Sequence, residues 1–265
     1  MPNPNPIGIF DSGVGGISVL KEIRRLLPAE ELLYFADSAH CPYGVKPQEE
    51  IRRRIIKIAD FLIARKAKML VSACNTASIA GLDFLRQFFQ VPIVGMEPAV
   101  KPAASMTRNG KVGVLATGVT VTGERFNSLL ERFANGIEVY KVTCPGLVEQ
   151  VEMGLLDDPA TEKMLHRYLE PLIANSVDTV VLGCTHYPFL RPLVEKIMGP
   201  SVKVIDTGCA VAKRVKQVLQ EAELQGEAHE NGTETFFTSA DPVQVGRVIN
   251  YLWGHPVAKT HHVEL

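Results

Sequence analysis

The chain has 265 residues, 46% of them hydrophobic, enough to bury a large core, and the usual size of a domain favours two domains over one. With 28 Lys and Arg against 29 Asp and Glu the formal charge is −1, which offers no broad attraction to a nucleic-acid backbone or an anionic membrane. The five cysteines, Cys41, Cys74, Cys144, Cys184 and Cys209, are odd in number and scattered without a Cys-x-x-Cys spacing, which argues against a disulfide framework or a structural zinc site and for reduced thiols.

The first residues, MPNPNPIGIF, lack the basic and apolar segments of a secretion signal, and no apolar run approaches a bilayer-spanning length, so a cytoplasmic location with no membrane partner is expected. Short β-branched runs near residues 7–11, 31–37, 67–74, 91–96, 111–117, 137–143, 178–184, 202–206 and 234–239 predict strands. Between them lie helical patterns, such as 47–66, where Pro47 suits a first turn and Ile51, Ile55, Ile58, Ala59 and Leu62 recur at helix spacing. The basic run Arg52-Arg53-Arg54 falls on this helix and reads as a solvated face. The stretch near 224–234 is polar enough to suggest a mobile loop.

Strand and helix alternation of this kind predicts an α/β fold with mostly parallel sheets flanked by helices. A faint internal repeat divides it. IGIFDSG at 7–13 aligns with VGVLATG at 112–118, an offset of 113 − 8 = 105 between Gly8 and Gly113, and LVSACNTASIAG aligns with VLGCTHYPFLRP, an offset of 184 − 74 = 110. Two similar units are expected, one from residues 1–97 with 208–265 returning to it and one from 98–207, with a ligand in the cleft between them.

FDSGVGGISVL follows the first strand and opens a helix, but Ser18 stands where a dinucleotide fingerprint needs glycine and no Gly-Lys-Ser/Thr follows. What remains is a tight turn whose free amides suit a carboxylate as readily as a phosphate. Asp11 and Ser12 sit at that strand end, where helix capping is the competing reading. Cys74 and Cys184 each end a strand of the repeat and open a helical segment, followed by Asn75-Thr76 and Thr185-His186. A lone buried cysteine is commonly a small hydrophobe; two at equivalent points read as matched acid/base groups. A helix start favours thiolate, so both thiols are expected to ionise at little cost. Asn75, Thr76, Thr185 and His186 add donors at the two helix starts, again against helix capping, and His186 has the further reading of a satisfied core histidine. Cys41 in HCPYGVK reads as positional, with Tyr43 and Gly44 the better ligand contacts, while Cys144 and Cys209 read as packing. Glu152 falls on a helix that can turn its carboxylate toward the second unit's strand ends. No metal site is expected.

GIFDSGVGG, CPYG, ACNTAS, the VExG of Val151–Gly154 and LGCTHYP stand in an order that closely resembles the glutamate racemases, within the aspartate/glutamate racemase family, over residues 7 to 207. The resemblance implies a cofactor-independent isomerase that interconverts L- and D-glutamate for peptidoglycan, built as two pseudo-symmetric α/β domains and usually a homodimer. It implies that Cys74 and Cys184 exchange the α-proton, Cys74 acting on D-glutamate and Cys184 on L-glutamate. It also implies auxiliary roles for Asp11, Glu152 and His186, and binding of the amino acid by Asp11, Ser12, Tyr43, Gly44, Asn75, Thr76, Thr185 and His186. The chemistry is coherent, since inverting an α-carbon without a cofactor needs a base on one face and an acid on the other. Two rival readings stay open: a racemase for aspartate or a similar small amino acid, and a non-catalytic binding module on the same frame.

Overall fold

The computed structural model describes residues 3–226, 231–257 and 259–265. The first unit opens with β1 (Ile7–Asp11), α1 (Ile17–Leu26), β2 (Leu32–Ala36), α2 (Gln48–Ala64), β3 (Met69–Ser72), α3 (Asn75–Phe88) and β4 (Ile93–Val94). After α4 (Val100–Met106) the second unit runs through β5 (Lys111–Ala116), α5 (Gly118–Thr122), α6 (Glu124–Phe133), β6 (Glu138–Thr143), α7 (Leu147–Glu152), α8 (Pro159–Ala174), β7 (Thr179–Leu182), α9 (Arg191–Met198) and β8 (Lys203–Ile205). The chain closes with α10 (Gly208–Glu221), β9 (Glu234–Thr238), α11 (Pro242–Trp253) and β10 (Thr260–His262).

Every strand pair among the described residues is parallel. The first sheet has the order β10-β9-β2-β1-β3-β4 and the second β6-β5-β7-β8. The second order repeats the β2-β1-β3-β4 part of the first, so the two units are built alike. Strands covered on both faces must be apolar throughout, and β1, β3 and β7 are buried at every residue. The two sequence offsets are therefore structural: β1 corresponds to β5, and β3, which precedes Cys74, corresponds to β7, which precedes Cys184.

Helix α2 buries Ile51, Ile55, Ile58, Ala59 and Leu62, the stripe its periodicity predicts. Pro47 stands at the N-cap, one place before the expected first turn, where its lack of an N–H costs nothing. Arg54 of the basic run is buried rather than solvated. Part of the polar stretch 224–234 lies outside the described residues; within it Gly226 N donates to Glu30 Oε1 at 2.8 Å, and Glu234 begins β9. After the second sheet is complete, α10 packs on α1 and β9 and β10 extend the first sheet beside β2. One buried cluster joins Ile7, Val14 and Ile17 of the first unit to Leu147, Val151 and Leu165 of the second. No helix among the described residues is long and apolar enough to cross a membrane.

Candidate active site

In an open parallel sheet, side chains reach a ligand from the carboxyl ends of the strands. Here the ends of β1, β3 and β7 converge. Asp11, the last residue of β1, is fully buried and folds back on its own turn, accepting hydrogen bonds from Ser12 N (2.7 Å) and Gly16 N (2.6 Å). Glu152, at the end of α7, accepts from Val14 N across the seam at 2.7 Å. The amides expected to wait for an anion are thus partly filled by the protein's own carboxylates. Glycine is required for this closeness: a Cβ at Gly13 would lie 2.0 Å from Glu152 Oε1, and one at Gly15 2.3 Å from His186 Nδ1.

Each cysteine is backed by its own relay to a carboxylate. The Cys74 thiol donates to Ser12 Oγ (3.8 Å), and Ser12 Oγ donates to Asp11 Oδ1 (3.3 Å). Cys184 Sγ lies 3.7 Å from His186 Nδ1, and His186 Nε2 lies 2.6 Å from Glu152 Oε1, whose other oxygen accepts from Ser38 Oγ at 3.1 Å. Thr185 Oγ1 donates to Asp11 Oδ2 at 3.3 Å, linking the two relays.

The local structure at the two cysteines differs. Cys74 is the N-cap of α3, its sulfur accepting from Ala77 N at 3.4 Å. Cys184 is followed by a single 3-10 turn, Tyr187–Leu190, and α9 starts only at Arg191. Pro192 lacks the N–H that would bond the carbonyl of Pro188, so an unbroken α-helix cannot run from Cys184. The expectation of two matched helix starts holds for Cys74 alone. The expectation of an easily formed thiolate fails there too, because burial and the adjacent Asp11 charge push the Cys74 thiol well above its ordinary value, and the Ala77 amide only partly offsets them. Burial likewise raises the Asp11 carboxyl, against the pull of His186. His186 goes the other way. Its burial disfavours the imidazolium, but hydrogen bonds with Cys184, Cys41 and Glu152 outweigh that and hold its pKa well above 6.5.

A small cavity of about 10 Å³, room for roughly one water, is lined by Ser12, Tyr43, Gly44, Cys74, Asn75, Thr76, Cys184, Thr185 and His186 together with Pro42, Thr117 and Val148. Asn75 is buried with neither side-chain amide atom hydrogen-bonded among the described residues. Tyr43 lines the cavity while its hydroxyl donates to Asp37 at 2.5 Å. Thr117, which sequence reasoning missed, bonds Thr76 Oγ1 at 2.9 Å. Its signal was present, since the offset of 105 pairs it with Ser12.

Cys41, Glu152 and His186 bring ligand-type atoms within 4.8 Å of one another. Tetrahedral zinc ligands at about 2.1 Å stand roughly 3.4 Å apart. The 2.6 Å between Glu152 and His186 is a hydrogen bond, too short to bracket a cation, and burial and the Glu152 charge keep the Cys41 thiol protonated, its pKa pushed up to about 12. Cys144 is buried, with burial raising its pKa to about 12, and Cys209 is half-buried beside Arg25 at 3.9 Å. A wider groove of about 950 Å³ beside α2, α3 and α6 contains neither Cys74 nor Cys184.

The family model for Asp/Glu/hydantoin racemases matches residues 7–215. The chain belongs to this family. It is an isomerase of the amino-acid racemase class. Among its relatives, glutamate racemases from Pseudomonas aeruginosa and Stutzerimonas stutzeri are 52% and 51% identical over 253 and 250 residues, each alignment covering 94% of both chains. Among solved structures, a glutamate racemase isoform from Bacillus anthracis superposes with a TM-score of 0.87 at 31% identity, covering 98% of both chains. A glutamate racemase from Escherichia coli, solved with L-glutamate and the activator UDP-MurNAc-ala, superposes at 0.86 with 34% identity, covering 98% of this chain and 99% of that one.

Proposed function

We propose that the chain interconverts L- and D-glutamate by moving the α-proton between Cys74 and Cys184, supplying D-glutamate for peptidoglycan in the cytoplasm as a homodimer. The units that supply the two thiols are residues 1–97 with 208–265, and residues 98–207. One observation carries the reading: both cysteines follow the third strand of a repeated unit, line one small cavity, and are each backed by a relay to a carboxylate of their own, Asp11 behind Cys74 and Glu152 behind Cys184. In one direction Cys184 takes the proton from L-glutamate while the Cys74 thiol delivers one to the opposite face; in the other the roles reverse. The high pKa of Cys74 suits it to the acid role at rest, and it acts as base once its proton passes through Ser12 to Asp11. His186, paired with Glu152, balances the charge on Cys184.

The unpartnered Asn75 amide, Ser12, Thr76 and Thr185 hold the amino acid together with the amides at the turn of Tyr43, which bind a carboxylate equally before and during the reaction, and the amides at the turn of Asn75 meet the negative charge that grows during proton transfer. Polarimetry with pure D-glutamate and no added cofactor tests the reading. The rotation is expected to decay to zero, at a rate indifferent to a chelator and to carbonyl reagents that trap pyridoxal. Stable rotation, or a loss on chelation that a metal restores, would contradict the mechanism.

A further inference from the structure

Asp37 follows the end of β2 behind the cavity. Its side chain is fully buried, yet it receives four donor contacts: Tyr43 Oη on Oδ2 (2.5 Å), Arg54 Nε on Oδ2 (3.0 Å), Arg54 Nη2 on Oδ1 (2.7 Å) and His40 Nδ1 on Oδ1 (3.0 Å). Arg54 reaches it from α2 and gives its remaining Nη1 to the carbonyl of Leu265 at 2.7 Å. The bridge therefore ties β2, α2, the C-terminal segment and the loop after β2 to one carboxylate. Neither Asp37 nor Arg54 lines the cavity.

The loop does. Tyr43–Val45 forms a 3-10 turn whose leading amides have no partner within the turn, and Tyr43 and Gly44 line the cavity beside Cys74 and Asn75. Gly44 is pressed against the second unit, where a Cβ would sit 2.6 Å from Thr117 Cβ. A displacement of a few tenths of an ångström in this turn would change the cavity. Buried ion pairs are poor sources of net stability, because desolving two charges offsets their attraction. A bidentate guanidinium–carboxylate pair does fix direction, since its two parallel bonds allow one orientation only.

We infer that Asp37 and Arg54 are positioning residues: through the Tyr43 hydroxyl they set the backbone of Tyr43 and Gly44 against the cavity so that its amides meet a carboxylate of the substrate. The inference rests on the glutamate reading. Both enantiomers present the same carboxylates, so the device acts on binding in both directions and leaves the proton transfer itself alone.

Asp37→Asn keeps the shape and removes the charge, Arg54→Lys keeps the charge and removes the fork, and Tyr43→Phe removes the link to the loop. Two measurements are made on each. The first is steady-state kinetics with L- and with D-glutamate, where each variant should raise KM about tenfold, the cost of one misplaced hydrogen bond to a charged group, with kcat within about threefold of the parent. Asp37→Asn combined with Tyr43→Phe should be no worse than the worse single variant, because both break one chain of contacts. The second is amide hydrogen exchange, which needs no turnover. Exchange at the Lys46 amide, which closes the turn on the Tyr43 carbonyl at 3.1 Å, should rise about tenfold in Asp37→Asn and Arg54→Lys while β1 and β3 keep their protection. An unchanged KM, or multiplicative losses in the double variant, overturns the inference, and so does a rise in exchange spread over β1 and β3. A parent enzyme inactive on glutamate refutes the functional reading instead, and the local exchange result then still decides whether Asp37 and Arg54 hold the loop.

Discussion

Cys74 and Cys184 hold equivalent positions in unlike surroundings, and that difference gives the two directions of the reaction separate signatures. Cys74→Ala is expected to abolish racemisation, because a carbanion formed from L-glutamate then has no acid on its far face. In heavy water its remaining Cys184 should still exchange the α-proton of L-glutamate with retention, and Cys184→Ala should exchange D-glutamate alone. Proton NMR at Cα with each pure enantiomer reads both outcomes; substantial racemisation by either variant would remove the two-thiol assignment. Asp11→Asn should lower kcat chiefly where Cys74 is the base and His186→Asn chiefly where Cys184 is, by about 10²-fold. The enantiomers have equal energy, so kcat/KM falls equally in both directions and the asymmetry must be sought in kcat. Equal kcat losses in both directions would reduce these residues to general positioning. The cavity-lining residues of the two cysteine segments were legible because the repeat displays them twice. Ser38, Asp37 and Arg54 were not, since their partners lie 114 or 17 residues away in the chain and no local pattern marks such a pairing.

At the scale of elements, the nine predicted strands are all present, since the central strands are buried β-branched runs and even the exposed edge strand β6 carries Val139, Tyr140, Val142 and Thr143. Their ends were less legible: the run at 91–96 yields only Ile93–Val94 as paired strand. The tenth, Thr260–His262, was missed because three residues, two of them exposed histidines, carry no apolar period; its place is set by pairing with β9. The turn after β1 offers a sharper test of how an element serves the site. In Gly15→Ala the new methyl must displace the His186 ring, which it would otherwise meet at 2.3 Å. Overpacking of this kind costs about 1–3 kcal/mol, so the variant should fold with a lowered Tm. Its kcat should fall mainly in the direction that uses Cys184 as base, as in His186→Asn. A loss shared equally by the two directions would show the ring had not been the part displaced.

Across the whole molecule the seam between the units is closed by polar contacts as well as by the shared core. Ser18 Oγ donates to the carbonyl of Thr185 at 2.9 Å, Thr76 meets Thr117, and Glu152 joins Val14 to His186. A pocket of about 250 Å³ that shares Pro42, Gly44, Thr117 and Val148 adjoins the one-water cavity, so the strength of the seam bears on the walls of the site. The His186–Glu152 pair makes that strength depend on pH, with a definite sign. His186 has a pKa raised in the folded state well above its ordinary 6.5, so the pair's contribution is fully present below pH 6.5, where the imidazole is charged whether folded or not, and is lost as pH rises through the raised value. Glu152→Gln keeps an acceptor for Val14 and His186 but removes the charge, a change that should cost about 1–3 kcal/mol near pH 6.5. Thermal unfolding of both proteins from pH 6.5 to about pH 9 should therefore show the largest Tm gap at the acid end and a narrowing gap above it. A gap that stays constant or widens toward alkaline pH would mean that His186 is neutral in the folded enzyme, and that Cys184 is balanced by something other than an imidazolium.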